Sequence, residues 1–469
     1  MEPTVPDPPV CAACAARTAQ LEQQVADLTA QLAAARAEHE QLQRRGKRQA
    51  TPFSTGKRTA DPQKPGRKPG QGRFSRRLAP DPAGVQEEIA VPPPTGGCPR
   101  CGGTLEQVAT ETVTQTDLPP PPPPRVTAYH VPVCRCLGCG GTVRGRHPDV
   151  APDQYGASAH RLSDRIFATA HWLHFGLGIP QRKVPELLAG LRGLTVTQGA
   201  LAQAALRHAA GRLGTAYQEL RAAVRTRGQV YTDDTGWKVG GETAFLMGFE
   251  TAGERVYQIR ERHRNEEVRE VIPGDYAGTM ITDRGRSYDA QALAGVRQQK
   301  CLDHVDRSLA AVLAAVPEPH QELAQRLRAL LREARALWKA YHAGTAADFT
   351  AERERLQRAV TEHLQERAGA VYPANQRLLN ELGRHHDAGN LLRFLWEPKV
   401  EPTNNRAERA LRPAVIARKV SHCSKNAAGA EAFSALVSGI GTLRLRGETA
   451  MVEGLCEVLR TGKVAEAPS

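Results

Sequence analysis

Three acids in this chain are spaced as the ligands of a phosphodiester-cutting metal site would be. Asp233 closes the strand-like run 229–232, Asp283 closes the strand-like run 279–282, and Glu408 opens a helical stretch after a long excursion. Nothing hydrophobic explains an acid at the end of a buried strand. Hard divalent cations held between such carboxylates can activate water or a 3′-hydroxyl and stabilise the leaving oxygen of a phosphodiester. Taken singly, each acid has a plainer reading. Asp283 before Arg284 and Gly285 reads as a turn residue, and Glu408 as the i,i+4 partner of Arg412. Asp234 follows Asp233 directly, and neighbours on a strand face opposite ways, so only one of them can face the metal. Thr235 and Gly236 read as the start of a turn, which leaves Asp233 the more firmly held on its strand.

A second chemistry sits upstream. The pattern C-P-R-C-G-G begins at Cys98 and C-L-G-C-G-G begins at Cys136. Each puts two thiolates on one tight turn, with glycines that let backbone N–H groups approach sulfur. Two such turns supply a tetrahedral S4 site, so Cys98, Cys101, Cys136 and Cys139 are expected to hold one structural Zn²⁺. Cys134 is a spare whose C-x4-C spacing fits such a turn less well. Cys11 and Cys14 form a C-x2-C with no second pair nearby. Between the zinc pairs, residues 104–115 and 126–133 read as a hairpin interrupted by the prolines 119–124.

The elements that must carry these residues follow from periodicity. Residues 18–45 read as one helix, with Leu21, Val25, Leu28, Leu32, Ala35, His39 and Leu42 in the 4-3 spacing of a coiled-coil seam. Helices are expected from about 158 to 175, from about 180, and after the N-cap Thr197, and the last two resemble a helix-turn-helix as much as a plain bundle. From Gln229 the pattern changes to strands at 243–250, 255–259, 279–282 and 297–301, with short helices at 266–271 and 288–293. Leucines at helical spacing then fill 306–395, and a helix from Asn404 is expected to stop at Pro413. The fold class is therefore multidomain α/β, with a ribonuclease-H-like core and a helical insertion. The expected domains are 1–45 coiled coil, 46–94 basic arm, 95–147 zinc unit, 148–225 helical DNA-binding domain, 226–305 with 396–445 catalytic core, 306–395 insertion, and 446–469 C-terminal segment.

Taken together these motifs resemble the transposases of the insertion sequence 66 family. V-Y-T-D-D-T-G-W from Val230, I-T-D-R-G-R-S-Y from Ile281, C-L-D-H-V-D-R from Cys301, N-N-R-A-E-R-A-L-R from Asn404 and R-K-V-S-H-C-S from Arg418 occur in the family's order behind its zinc unit. Asp234 stands where the family has Glu, and Arg-Gly-Arg follows Asp283 where it more often has Gly and an aromatic residue. The resemblance implies an Asp-Asp-Glu enzyme that binds terminal inverted repeats, cuts 3′ ends and joins them to target DNA. By motif position Asp233, Asp283 and Glu408 would hold two Mg²⁺, with Mn²⁺ as a substitute, and His304 and Arg307 would sit near the scissile phosphate. Two other classes stay open: a non-catalytic zinc DNA-binding regulator, and a metal-dependent nuclease that cuts without joining.

Charge agrees with a polyanionic partner. The 469 residues carry a net +13, and the segment from Arg44 to Arg77 holds twelve Lys/Arg against the single acid Asp61. Its prolines and glycines leave too little apolar surface to fold, which suits an arm on DNA phosphates. No run reaches the ~18 apolar residues of a membrane span, and the opening residues lack the regions of a secretory signal. The expected setting is the bacterial cytoplasm near the nucleoid, with double-stranded DNA, a second copy of the chain and accessory proteins of the element as partners.

Overall fold

The structure is a computed structural model that describes residues 17, 19–29, 31–32, 80–118, 120–150, 154–155, 160–365 and 372–466. Residues 46–79 of the basic arm, Cys11, Cys14 and the seam positions Ala35, His39 and Leu42 lie outside the described residues. The chain divides into two compact units, Met1–Pro119 and Pro120–Ser469. In the first, residues 19–29 are helical (α1), and Leu21, Val25, Leu28 and Leu32 are exposed along them. The expected hairpin strands are not there: residues 104–115 carry no strand, and in the second unit residues 126–132 carry none before β1 (Val133–Arg135), which pairs with β2 (Thr142–Arg144). The physical reason is lack of cover, since Val108, Val113 and Val126 stay largely exposed and bury nothing that would favour a ladder.

The second unit is built on a five-stranded sheet ordered β5-β4-β3-β6-β7. Its strands are β3 (Gln229–Val239), β4 (Glu242–Glu250), β5 (Arg255–Arg260), β6 (Thr279–Thr282) and β7 (Arg297–Lys300). The first three form an antiparallel meander, and β3, β6 and β7 run parallel. The chain crosses from β5 to β6 through α6 (Asn265–Arg269). The expected second short helix is only a 3-10 turn at Gln291–Leu293.

One strand differs from its reading in the sequence. β3 does not end at Asp234 but continues through Thr235 and Gly236 to Val239. Each of those residues keeps a partner on β4, from Asp233 opposite Gly248 to Val239 opposite Glu242. The turn comes at Gly240 and Gly241, whose φ values of 62° and 95° suit a two-residue hairpin loop. Glycine at 236 marks no turn; it lies in a ladder already held on one side by nine pairings.

Helices cover both faces. On one side α2 (Asp164–His171), α4 (Gln198–Ala210), α5 (Arg212–Val224), α13 (Ala427–Leu445) and α14 (Met451–Thr461) share a core with Val230, Met247 and Phe249. Residues of α3 (Val184–Arg192) pack with Leu201 of α4 in a satellite cluster, and Thr197 caps α4 by accepting from the Ala200 N–H at 3.2 Å. On the other side α7 (Leu302–Ala315), α8 (Glu322–His342), α9 (Phe349–Gln365), α10 (Pro373–Asp387) and the short α11 (Arg393–Trp396) pack with Tyr231 and Ile281. Ala324, Leu327, Leu330, Leu331 and Ala334 make the buried stripe of α8, the spacing that made the insertion legible as helix.

Helix α12 (Asn405–Ser421) is the second departure. It passes through Pro413 instead of stopping there. A proline inside a helix loses one N–H bond and crowds the preceding turn. Here Ala407, Ala410, Leu411 and Ala414 are buried against the sheet side, and Arg418 donates to Thr235 Oγ1 at 3.1 Å, so tertiary contacts outweigh that cost.

Candidate active site

The register of the sheet brings the first two acids level. Tyr231 of β3 lies beside Ile281 of β6 in the parallel pairing, so Asp233 and Asp283 each follow two residues beyond a matched pair. Alternation puts Tyr231, Asp233, Thr235 and Trp237 on one face of β3. Tyr231 packs into the helical insertion and Trp237 packs with Leu411 and Ala414 of α12, so Asp233 looks out between α7 and α12. Asp234 faces the other way. Its Oδ1 lies 3.1 Å from His263 Nδ1, and His263 Nε2 lies 3.2 Å from Ser287 Oγ, just beyond Asp283.

Asp283 is a turn residue and a site residue at once. Its Oδ1 accepts the Gly285 N–H at 2.8 Å. The loop it opens is pinned by Arg284, which donates to Glu381 at 2.9 Å, and by Asp289, which accepts from the fully buried Lys300 ammonium at 2.7 Å. Lys300 also donates to Gln298 Oε1 at 2.8 Å and Thr282 Oγ1 at 3.3 Å, so all three donor directions of its buried ammonium are used.

Glu408 reaches the same place through Asn404. The buried Asn404 amide donates to Thr232 O at 2.7 Å, and its backbone N–H donates to Cys301 Sγ at 3.2 Å. Cys301 N–H in turn donates to Thr282 O at 2.8 Å. These bonds join the ends of β3 and β6 to the first turns of α7 and α12. On α7, His304 and Arg307 are one turn apart, and both meet Glu408. His304 Nδ1 lies 3.9 Å and Arg307 Nη2 3.5 Å from Glu408 Oε1. The partner of Glu408 is thus Arg307 across the cleft; Arg412 on its own helix is left exposed.

The electrostatics follow from that crowding. Burial first, and then the charges of Asp283, Asp234 and Glu408, push Asp233 up to about 7, against the pull of the Asp234 N–H. Burial and then the Arg307 charge hold His304 below the usual imidazole range, so it is neutral at pH 7. Its Nδ1 is buried without a hydrogen-bond partner. Burial and then the neighbouring carboxylate charges both favour the protonated form of Asp233, a balance that a divalent cation would reverse, and the donor set is the oxygen-rich one that Mg²⁺ takes. Among the described residues no three His, Cys, Asp or Glu side chains converge into a closed metal cage. The carboxylates instead hold protein partners: Asp234 N–H on Asp233, Gly285 N–H on Asp283 and Arg307 on Glu408.

The sequence model of the Transposase IS66 family matches residues 160–432, more than half of the chain. The chain belongs to the IS66 transposase family. All five residues of the cleft, Asp233, Asp283, His304, Arg307 and Glu408, lie inside the matched span, while α1, the basic arm and both cysteine pairs lie before it. No curated protein matches the chain.

In this IS66-family transposase the cysteine pairs form two separate turns of the same build. Cys98 N–H donates to Gly103 O at 2.9 Å and Gly102 N–H returns to Cys98 O at 2.8 Å. Cys136 N–H donates to Gly141 O at 2.8 Å and Gly140 N–H returns to Cys136 O at 2.9 Å. Gly102 and Gly140 carry the positive φ, 73° and 70°, that each turn requires. Backbone N–H groups of Arg100 and Cys101 lower the Cys98 thiol, and those of Cys139 and Gly138 lower the Cys136 thiol. Cys134 lies in β1 opposite Val143, outside the turn.

Three contributors to the transposase cleft escaped the sequence reading. Asn404 stood inside a quoted motif, but only its contacts to Thr232 and Cys301 reveal a tie between segments. His263 sits alone between two arginines, a setting with no spacing signal. Lys300 reads as a strand-end cation; its full burial is a tertiary fact.

Proposed function

We propose that the protein is a DNA transposase that binds the terminal inverted repeats of its element, cleaves their 3′ ends and transfers them to target DNA. The reading is carried by one observation: Asp233 on β3 and Asp283 just past the end of the adjacent parallel β6 each follow two residues beyond a matched pair, and Asp233 feels the charge of Glu408 across the cleft. The strand order β5-β4-β3-β6-β7, with three antiparallel strands leading two parallel ones, supports a ribonuclease-H-like core. Mg²⁺ held by Asp233, Asp283 and Glu408 would activate the attacking water or 3′-hydroxyl and stabilise the leaving oxygen. The protein's own residues do the rest. Arg307, with its side chain 64% exposed, can leave Glu408 for a phosphate oxygen without being desolvated first. His304, neutral and with its Nδ1 unpartnered, can donate a ring N–H to the same phosphate. Asp234, turned away, steadies the Asp283 loop through His263 and Ser287. The test is incubation of the full chain with a labelled terminal repeat, a target plasmid and Mg²⁺. Cleaved 3′ ends joined to plasmid support transposition; cleavage without joining identifies a nuclease, and neither product identifies a regulator.

Zinc belongs to the same proposal. The two turns fit thiolate ligation separately, each with backbone N–H groups aimed at sulfur that make its first thiol more acidic, and an S4 site would need both. One zinc per chain is expected by elemental analysis, lost in Cys136→Ser and kept in Cys134→Ser, with residues 95–147 becoming protease-sensitive in the first variant only. Zinc retained by the first and lost by the second would put Cys134 in the site.

The leading segments act on assembly and affinity. Removing residues 1–45 should weaken self-association, since Leu21, Val25, Leu28 and Leu32 have an apolar seam to bury. Neutralising Lys57, Arg58, Lys64, Arg67 and Lys68 should weaken binding to specific and random DNA alike and flatten the dependence on salt. Loss confined to the specific complex would mean that the arm reads bases.

A further inference from the structure

From Glu408, helix α12 continues as a cationic ridge. Arg412 is one turn on and Lys419 three turns on, within about 40° of Glu408 around the helix and opposite the buried Ala407, Ala410 and Ala414. Arg412 is exposed and Lys419 half-buried. Strand β3 runs beside the helix in the same direction, held by rungs at both ends: Asn404 to Thr232 O at 2.7 Å, Arg418 to Thr235 Oγ1 at 3.1 Å and Trp237 Nε1 to Ser424 Oγ at 3.1 Å. The two elements match in length. Glu408 to Lys419 spans about 17 Å at 1.5 Å per helical residue, and Asp233 to Lys238 spans about 17 Å of strand.

At the far end the chain is forced into place. His422 and Cys423 both adopt left-handed φ, 56° and 71°, a conformation that side chains resist. The turn brings Ser424 onto β3, where its N–H donates to Lys238 O at 3.1 Å and its carbonyl accepts from Gly240 at 3.0 Å. Lys425 is thereby held exposed at the end of the ridge, while Lys238, next to the Trp237 that turns toward α12, faces the other side of the sheet. Arg412, Lys419 and Lys425 have no carboxylate at ion-pair distance among the described residues.

We infer that this ridge seats the phosphate backbone of duplex DNA leading out of the cleft, over about five base pairs at 3.4 Å each. The inference rests on the cleft being the site of cleavage. A regular polyanion fits a straight row of unpaired cations that starts at the cutting residues. The contacts are to phosphate, so they hold the register of the DNA and read no bases.

The test measures the affinity of the full chain for a terminal-repeat duplex across a series of KCl concentrations, beside cleavage of the same duplex with Mg²⁺. A variant combining Arg412→Ala, Lys419→Ala and Lys425→Ala should flatten the slope of log K against log salt by about 2.7, at about 0.9 per lost phosphate contact. Arg412→Lys with Lys419→Arg should keep the wild-type slope, which separates charge from folding. Duplexes trimmed by five base pairs on one or other side of the cut should include one on which wild type and variant bind alike. An unchanged slope in the triple variant, or a loss that no trimming removes, overturns the seat. Wild-type protein that binds with the expected slope difference yet never cleaves would overturn the catalytic reading instead.

Discussion

Asp233→Asn should end Mg²⁺-dependent cleavage of a labelled terminal repeat, slowing it by on the order of 10³-fold or more, while affinity for the same DNA changes less than about twofold. Removing a charged ligand that supplies several kcal/mol of transition-state stabilisation costs a factor of ten for each ~1.4 kcal/mol. The change leaves shape intact and removes no cation that could hold phosphate. Asp283→Asn and Glu408→Gln should do the same, since the two acids stand level with and across from Asp233. Asp234→Asn is the discriminating control. Asp234 points to the opposite face, where it holds His263, so its loss should slow the reaction without abolishing it. An inactive Asp234→Asn beside an active Asp233→Asn would reverse the assignment. Activity in all four variants would remove the three-carboxylate mechanism.

Glu254→Ala should destabilise the second unit by about 3 kcal/mol at pH 7, read as a lowered denaturation midpoint. The Glu254 carboxylate is fully buried at the turn between β4 and β5. Its Oε2 accepts from Arg227 Nε at 2.8 Å and from Thr251 at 2.5 Å, while Oε1 takes Arg227 Nη2 and, at 3.2 Å, Arg446. Breaking a buried pair typically costs 3–5 kcal/mol, and the half-exposed Arg227 places this one at about the lower end. The pH dependence has a definite sign. Burial pushes the Glu254 carboxyl up, but the bonds from Arg227 and Thr251 and the charges of Arg227 and Arg446 outweigh it, so the net shift is downward from 4.5. The unfolded chain therefore takes up the proton first as pH falls. The contribution is complete above pH 4.5 and fades as pH drops below it, so wild type and variant should converge in acid. A gap that is the same at pH 7 and pH 3 would show that packing, not charge, is what Glu254 supplies.

Much of this protein was legible in one dimension because the signals are local. The period of two set out β4, β5, β6 and β7 within a residue or two, and the leucine stripe of α8 marked the insertion as helical. The acids Asp233, Asp283 and Glu408 were conspicuous because charge at a strand end or in a motif has no packing excuse. The cysteine turns were legible for a similar reason: only glycine after each pair allows the positive φ observed at Gly102 and Gly140.

Other features were decided by contacts between residues far apart in sequence. Gly236 looks like a turn and Pro413 like a stop, yet β3 and α12 run through them because pairing with β4 and packing against the sheet outweigh local propensity. The face of Asp233, the role of Asn404 and the burial of Lys300 likewise depend on register and cover, which no short window contains. By itself, then, the sequence determined which residues could do chemistry and which segments would be helix or strand. Only the tertiary structure decided which of two adjacent acids shares a cleft with Glu408, because in a sheet with helices on both faces either side of a strand is buried and polarity cannot choose between them.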